Sequence, residues 1–465
     1  VLVVVARLHA CADIDPDIRF TNVNASHRTL LVLLATVSAC SSVFGVESPR
    51  VRAHHTTSSA PLVQTLHVEL ERPAPVRVEY ATGDAQPLIV DSKAAATHSI
   101  QLTRLRAGRT YRYRIIGSGA KGTFNAGTLP PDLAHVQLTA SGSPTTPLVL
   151  LHLYDPYGYR GYAAVDAQGE IVWYWRTMDM ALGAARRANG HAVFLDRGRG
   201  LVEVRPDGSV AHELSQDTID REQHHDVIVT PRNTLLFLAF DQRQHAGALL
   251  KGEAIWEWTP ETGHAVKRWS SWDHLSPDSD RGMGSGVEWL HANSLALGPR
   301  GNVLVSFRFL SQVMSISPDF QRVEWRLGGV NATRTLSPPN QYSAQHAARE
   351  IASNRLLVFD NGVGRRDSSR ALELDLSNDE VKAVWQWQPA RRNLSAFVGS
   401  ARRLASGNTL VTFGMGAGRG STGPVEVYEV TPTGETVWHL ELADTWQLFR
   451  AEPWPSIASE YAKER

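Results

Sequence analysis

Cysteine is scarce in this chain and sits where it can do little for structure: Cys11 and Cys40 are the two among 465 residues, and both precede the part that reads as folded. The body therefore has no disulfide and no thiolate chemistry. An excess of either charge is also lacking, with 47 Lys and Arg against 47 Asp and Glu. No field for a polyanion follows, and nucleic acid is not an expected partner. Long helical patterns are few. What fills the chain instead is 13 Trp, 36 Gly and 24 Pro among short alternating runs, the composition of an all-β protein with many turns.

Methionine is missing before Met178, and residues 1–22 match no export signal, so the true start is expected near Val23. From there Arg28, an apolar run over Leu30–Val37 and the small pair Ser38-Ala39 lead to Cys40. That is the order of a bacterial lipoprotein signal, residues 23–40, whose cysteine is lipidated after cleavage. The apolar run is too short to span a bilayer, and the competing reading makes it a short buried strand. Export follows, to the periplasm or to the outer membrane through a lipid on Cys40, with residues 41–60 as a linker.

Residues 61–131 carry short alternating strands such as "LVQTLHVEL", "VRVEYATG" and "TYRYRIIG", as in a small fibronectin III or Ig-like β-sandwich. Pro130-Pro131 marks its end. From residue 134 to 450 the chain repeats a Gly/Asn turn followed by an apolar strand: "ANGHAVFL", "PRNTLLFL", "RGNVLVSF", "SNRLLVFD" and "SGNTLVTF". Later strands in each repeat carry Trp, among them Trp256, Trp325, Trp385 and Trp438, and an opening copy with Trp173 and Trp175 shows only its outer half. Six copies predict a six-bladed β-propeller of four-stranded antiparallel sheets, followed by a tail over 451–465.

Three histidines interrupt the repeat at one phase. His225, His291 and His346 each stand at the entry of an innermost strand, where two other copies have Leu182 and Ser400. Innermost strands line the central channel, so these imidazoles are expected to share one funnel. His224 is adjacent, and alternation turns one of the pair away; His225 is the expected member. Folding "LALGPRGNVLVSFR" at its turn sets Arg308 opposite His291, and the same arithmetic sets Asp360 opposite His346, where a carboxylate would fix the imidazole tautomer. Three imidazoles alone suit zinc or copper, but a guanidinium in the pocket repels a divalent ion. Arginine with imidazoles suits a tetrahedral oxyanion instead, with no metal and no cofactor.

Taken together, "HHD" at 224, "WLHANS" at 289, Arg308 in "VSFR", "QHA" at 345 and "FDNGVGR" at 359 resemble the bacterial arylsulfate sulfotransferases over about residues 60–450. The resemblance implies sulfuryl transfer from a phenolic sulfate ester to a phenol through a covalent sulfohistidine, without a nucleotide sulfate donor. It implies His346 as the sulfated nucleophile, His225, His291 and Arg308 as its pocket partners, and Asn293 and Asp360 as neighbours that bind substrate. Trp289 and Tyr342 are candidate aromatic walls, with core packing as the competing role. Ala347 stands where the other histidine motif has Asp226, Phe309 follows the arginine where some members have histidine, and the body cannot form the disulfide some members carry. A homodimer is compatible with this reading. The alternatives are a non-catalytic propeller scaffold in the envelope and a quinone-cofactor dehydrogenase, the latter lacking eight copies and a carboxylate cluster for calcium.

Overall fold

The computed structural model describes residues 49–284, 286–443 and 445–457. The expected start, the signal sequence, Cys40 and the first part of the linker lie outside the described residues.

The described residues form an all-β structure of seven sheets. The N-terminal sheet comprises Val51–Ala60, Val63–Ala81, Leu88–Leu102, Thr110–Ile115 and Lys121–Asn125. Alternation forms these strands: in Thr110–Ile115, Tyr111, Tyr113 and Ile115 are buried and the residues between them exposed. The expected pair of facing sheets is instead one curled sheet, because "LVQTLHVEL" and "VRVEYATG" belong to a single strand, Val63–Ala81, that pairs with three others. Its register slips between Glu69 and Val76, where Pro73 and Pro75 cannot donate to a ladder. Residues expected to be linker contribute its edge strand, Val51–Ala60.

Six further sheets of four or five strands follow in a propeller-like arrangement. Their innermost strands are Gln447–Pro453, Ala181–Arg186, Gln223–Val229, Ala292–Leu297, His346–Ala352 and Ser400–Arg403. Each neighbours the next, and the last borders the first, so the ring closes. Five of the inner hairpins turn through a left-handed residue, Gly190, Asn233, Gly301, Asn354 and Gly407, at φ 84°, 62°, 79°, 60° and 89°. Only Gly and Asn take that conformation cheaply, which is why the repeat is legible as a Gly/Asn turn.

Closure uses both ends of the ring-forming segment. Leu138–Gly142 adds to the outer edge of the sixth sheet beside Thr436–Leu442. Gln447–Pro453 supplies the inner strand of the first sheet beside Val149–Tyr154. The expected tail from residue 451 is thus partly strand, and it is the inner half that the opening Trp copy lacked.

Candidate functional site

The chain enters each innermost strand from the same end of the ring, and there the ladders are irregular. Register slips between His224 and Val227, between Ala292 and Ser294, and between His346 and Arg349. His225, His291 and Ala347 hold left-handed backbone, at φ 55°, 57° and 53°. Bulges of this kind re-aim side chains, and strained non-glycine backbone at three equivalent entries is a mark of function.

The hairpin arithmetic holds for the first pair. Ala292 pairs with Phe307, and the Arg308 N–H donates to the His291 carbonyl at 2.9 Å. His225 and His291 meet ring to ring, with centroids 4.7 Å apart and planes at 70°. His346 is fully enclosed, and the charges of Arg308, His291 and Arg450 all bear on it. The four expected residues are therefore neighbours in one site.

Each imidazole is anchored through Nδ1. That of His346 donates to Asn361 Oδ1 at 2.7 Å and approaches the Ala344 carbonyl at 3.1 Å. The Asn361 amide nitrogen itself donates to the Ser395 and Val398 carbonyls, so its oxygen must face the histidine. His291 Nδ1 lies 2.9 Å from Glu288 Oε1. His225 Nδ1 lies 2.8 Å from His224 Nδ1, and His224 Nε2 lies 2.9 Å from Glu253 Oε2. One of the two rings donates to the other through these Nδ1 atoms. In His346, Nε2 is then the nitrogen with its lone pair free.

Burial, then the surrounding positive charge, holds His346 and His225 well below the ordinary imidazole range, so both are neutral at pH 7. Burial pushes the Glu288 carboxyl up, but His291 beside it outweighs this and keeps it below the usual range. Arg308 is lowered by burial yet stays cationic. Its guanidinium donates to the Ala396 carbonyl at 3.1 Å and sits 5.5 Å from the Phe309 ring and 5.0 Å from the Phe397 ring. Phe397 is 42 % exposed.

Several expectations need correction. Asp360 does not meet His346, which pairs with Phe359. Its carboxylate instead accepts from the Ser343 and Gly362 N–H groups and from Arg370 and Arg366. Asn361 takes the role expected of it. Trp289 is core, packed against Trp272 at 5.8 Å, and Tyr342 is core, its hydroxyl donating to the Leu327 carbonyl. Phe309 and Phe397 instead flank the Arg308 guanidinium. Asn293 is fully buried, with Nδ2 donating to the Gln345 carbonyl and its own carbonyl accepting from Arg450, so it braces the site from beneath. Sequence reasoning missed Arg450, which is buried, ion-paired to Asp226 at 2.7 Å and part of the field on His225 and His346. Recognising "QLFRAEP" as the missing first inner strand would have found it. Among the described residues, a trio of ligand-type atoms within 4.8 Å occurs at Glu426, His439 and Glu441, away from these histidines, and the Arg391 guanidinium already bridges both carboxylates.

The ring of inner strands thus gathers three imidazoles beside a guanidinium. The arylsulfotransferase (ASST) family model matches residues 146–447, and the chain belongs to that family. No curated protein matches the sequence. Similar solved structures include a protein of unknown function from Bacteroides caccae, at 14% identity and TM-score 0.45, covering 66% of this chain and 98% of that one. A virginiamycin B lyase from Staphylococcus aureus aligns at 9% identity and TM-score 0.35, covering 66% of this chain and 99% of that one. A streptogramin B lyase aligns at 10% identity and TM-score 0.35, covering 85% and 94%.

Proposed function

We propose that the protein is an arylsulfate sulfotransferase built on a six-bladed β-propeller, with its curled N-terminal sheet standing where a fibronectin-like sandwich was expected. The observation that carries this reading is the His346 imidazole, neutral and locked by Asn361 with Nε2 free, in the field of Arg308. Family membership supports the activity.

In the first half-reaction His346 Nε2 attacks the sulfur of an aryl sulfate. The S–N bond forms as the S–O bond to the aryl group breaks, in line, with charge on the three equatorial oxygens. The Arg308 guanidinium and a proton-bearing group of the histidine set hold those oxygens. The departing phenolate takes a proton from His291, which enters this step with both ring nitrogens protonated and its charge facing the Glu288 carboxylate at 2.9 Å. In the second half an acceptor phenol gives its proton to His291 while its oxygen attacks the sulfur, and the S–N bond breaks. His346 returns neutral. The covalent intermediate divides one hard displacement into two easier ones. Phe309 and the exposed Phe397 flank the guanidinium and suit the aryl ring of either substrate.

No nucleotide donor, metal or cofactor enters this scheme. Delivery to the periplasmic side with a lipid on Cys40 completes the proposal. Incubation with 4-nitrophenyl sulfate and a phenol acceptor should release nitrophenol, and intact-mass measurement after donor alone should show one added SO3 group. His346→Asn should abolish both; nitrophenol release that survives this change refutes the assignment.

A further inference from the structure

The far ends of the inner strands surround an open space. A cavity of about 660 Å³ lies there, lined by the last residues of all six innermost strands. Short side chains at Ala184, Ala185, Ala296 and Ala405 leave the bore clear, and Trp454 and Pro455 form an apolar part of its wall.

Its polar lining is rich in arginine. Arg349 lies 3.2 Å from Glu452 Oε1, and Arg402 lies 3.6 Å from Glu452 Oε2, so one carboxylate serves two guanidinia. Deeper in the channel Arg450 is matched by Asp226. Of the other charged groups on this mouth, Arg403 is held by Glu373, Glu350 accepts from the Asn302 amide and the Asn354 N–H, and Arg186 is also bonded within the protein. Arg349 and Arg402 share a single carboxylate as their ion-pair partner, while the Glu350 carboxylate on the same mouth is held by neutral donors. Burial, and then repulsion from Arg402, lowers Arg349 to about 10, while the two arginines overcome the effect of burial on Glu452 and hold it at about 2. Cations crowded this way in a low-dielectric bore gain most from a bound anion.

We infer that this far mouth is a second binding site, for an organic oxyanion: a carboxylate, sulfonate or sulfate borne on a compact apolar group. The anion sits between Arg349 and Arg402, and the apolar part lies toward Trp454. The site does not depend on the proposed catalysis and is separated from the histidines by the length of the inner strands.

Titration calorimetry of the intact protein with benzenesulfonate and with inorganic sulfate tests this. Arg308→Gln serves to silence the histidine end. Benzenesulfonate should still bind one site in Arg308→Gln, at least several-fold tighter than sulfate. Arg402→Gln and Arg402→Glu, placed on a side chain that is 35% exposed, should weaken that binding tenfold or more. Arg402→Lys should restore most of it, and nitrophenyl sulfate turnover should be unchanged in all three. Loss of all binding in Arg308→Gln, affinity indifferent to Arg402→Glu, or sulfate binding as tightly as benzenesulfonate each overturns the proposal.

Discussion

Exchanging Asn361 for aspartate keeps the size of the side chain and its contact with His346 Nδ1, now 2.7 Å, but turns a neutral acceptor into a charged one. A hydrogen bond to a neutral partner is worth about 0.5–1.5 kcal/mol and one to a charged partner about 1.5–3 kcal/mol. The difference, about 1–1.5 kcal/mol, favours the imidazolium. At 1.36 kcal/mol per pH unit, the His346 pKa rises by about one unit from its depressed value. The acid limb of kcat/KM for nitrophenyl sulfate should move up by the same amount. Asn361→Leu acts differently: it frees the imidazole to place its proton on Nε2, where the lone pair is needed, and kcat should fall by roughly 10–100-fold. It also removes one donor each from the Ser395 and Val398 carbonyls, which keep the Ser369 and Ser395 hydroxyls as donors, a cost that urea unfolding would read separately. A pH profile for Asn361→Asp that overlays the parent, or a full rate for Asn361→Leu, refutes the tautomer argument.

Arg308→Lys keeps the charge but loses the fork, and kcat should fall by about 10²-fold with the same substrate. Phe397→Ala should raise KM for aryl sulfates severalfold with little change in kcat, since an aromatic contact of about 0.5–1.5 kcal/mol is lost in ground and transition states alike. His152 is fully buried and lowered to about 4. Its folded pKa lies below the unfolded value, so the unfolded chain binds the proton first, and stability present above pH 6.5 is lost as pH falls toward 4. This amounts to about 3 kcal/mol, and urea midpoints for His152→Gln should fall less steeply over that window. Labelling with a palmitate analogue in a bacterial host should mark the protein and fail on Cys40→Ser; labelling that persists removes the lipoprotein proposal.

What the sequence revealed, and what it hid, follows from the ladders. The pairing of His291 with Arg308 was legible because the turn at Gly298–Asn302 is short and the strands beyond it alternate cleanly. The shared phase of His225, His291 and His346 stood out because these residues depart from an apolar repeat. The partner of His346 was misplaced by one residue for a definite reason. Arg349 pairs with Leu357, whose positions sum to 706 as the arithmetic assumed, but the slip after His346 moves the sum to 705 at the histidine itself. A bulge has no strong sequence signature, so Asp360 was named where Asn361 belonged. Arg450 was hidden by distance, because its strand completes a sheet whose other members begin some three hundred residues earlier. Trp289 and Tyr342 show that a buried aromatic near a motif reads the same whether it faces the cavity or the core.

The strand Gln447–Pro453 has a bearing on biosynthesis. It is the final piece of the circle to be translated, and it delivers Arg450 to the histidine cluster. A nascent chain that has emerged only as far as the sixth sheet has every imidazole in hand but an unclosed seam, with one wall of the cavity missing. Closure of the circle and completion of the cluster around His346 are therefore reached together, in the last strand to emerge.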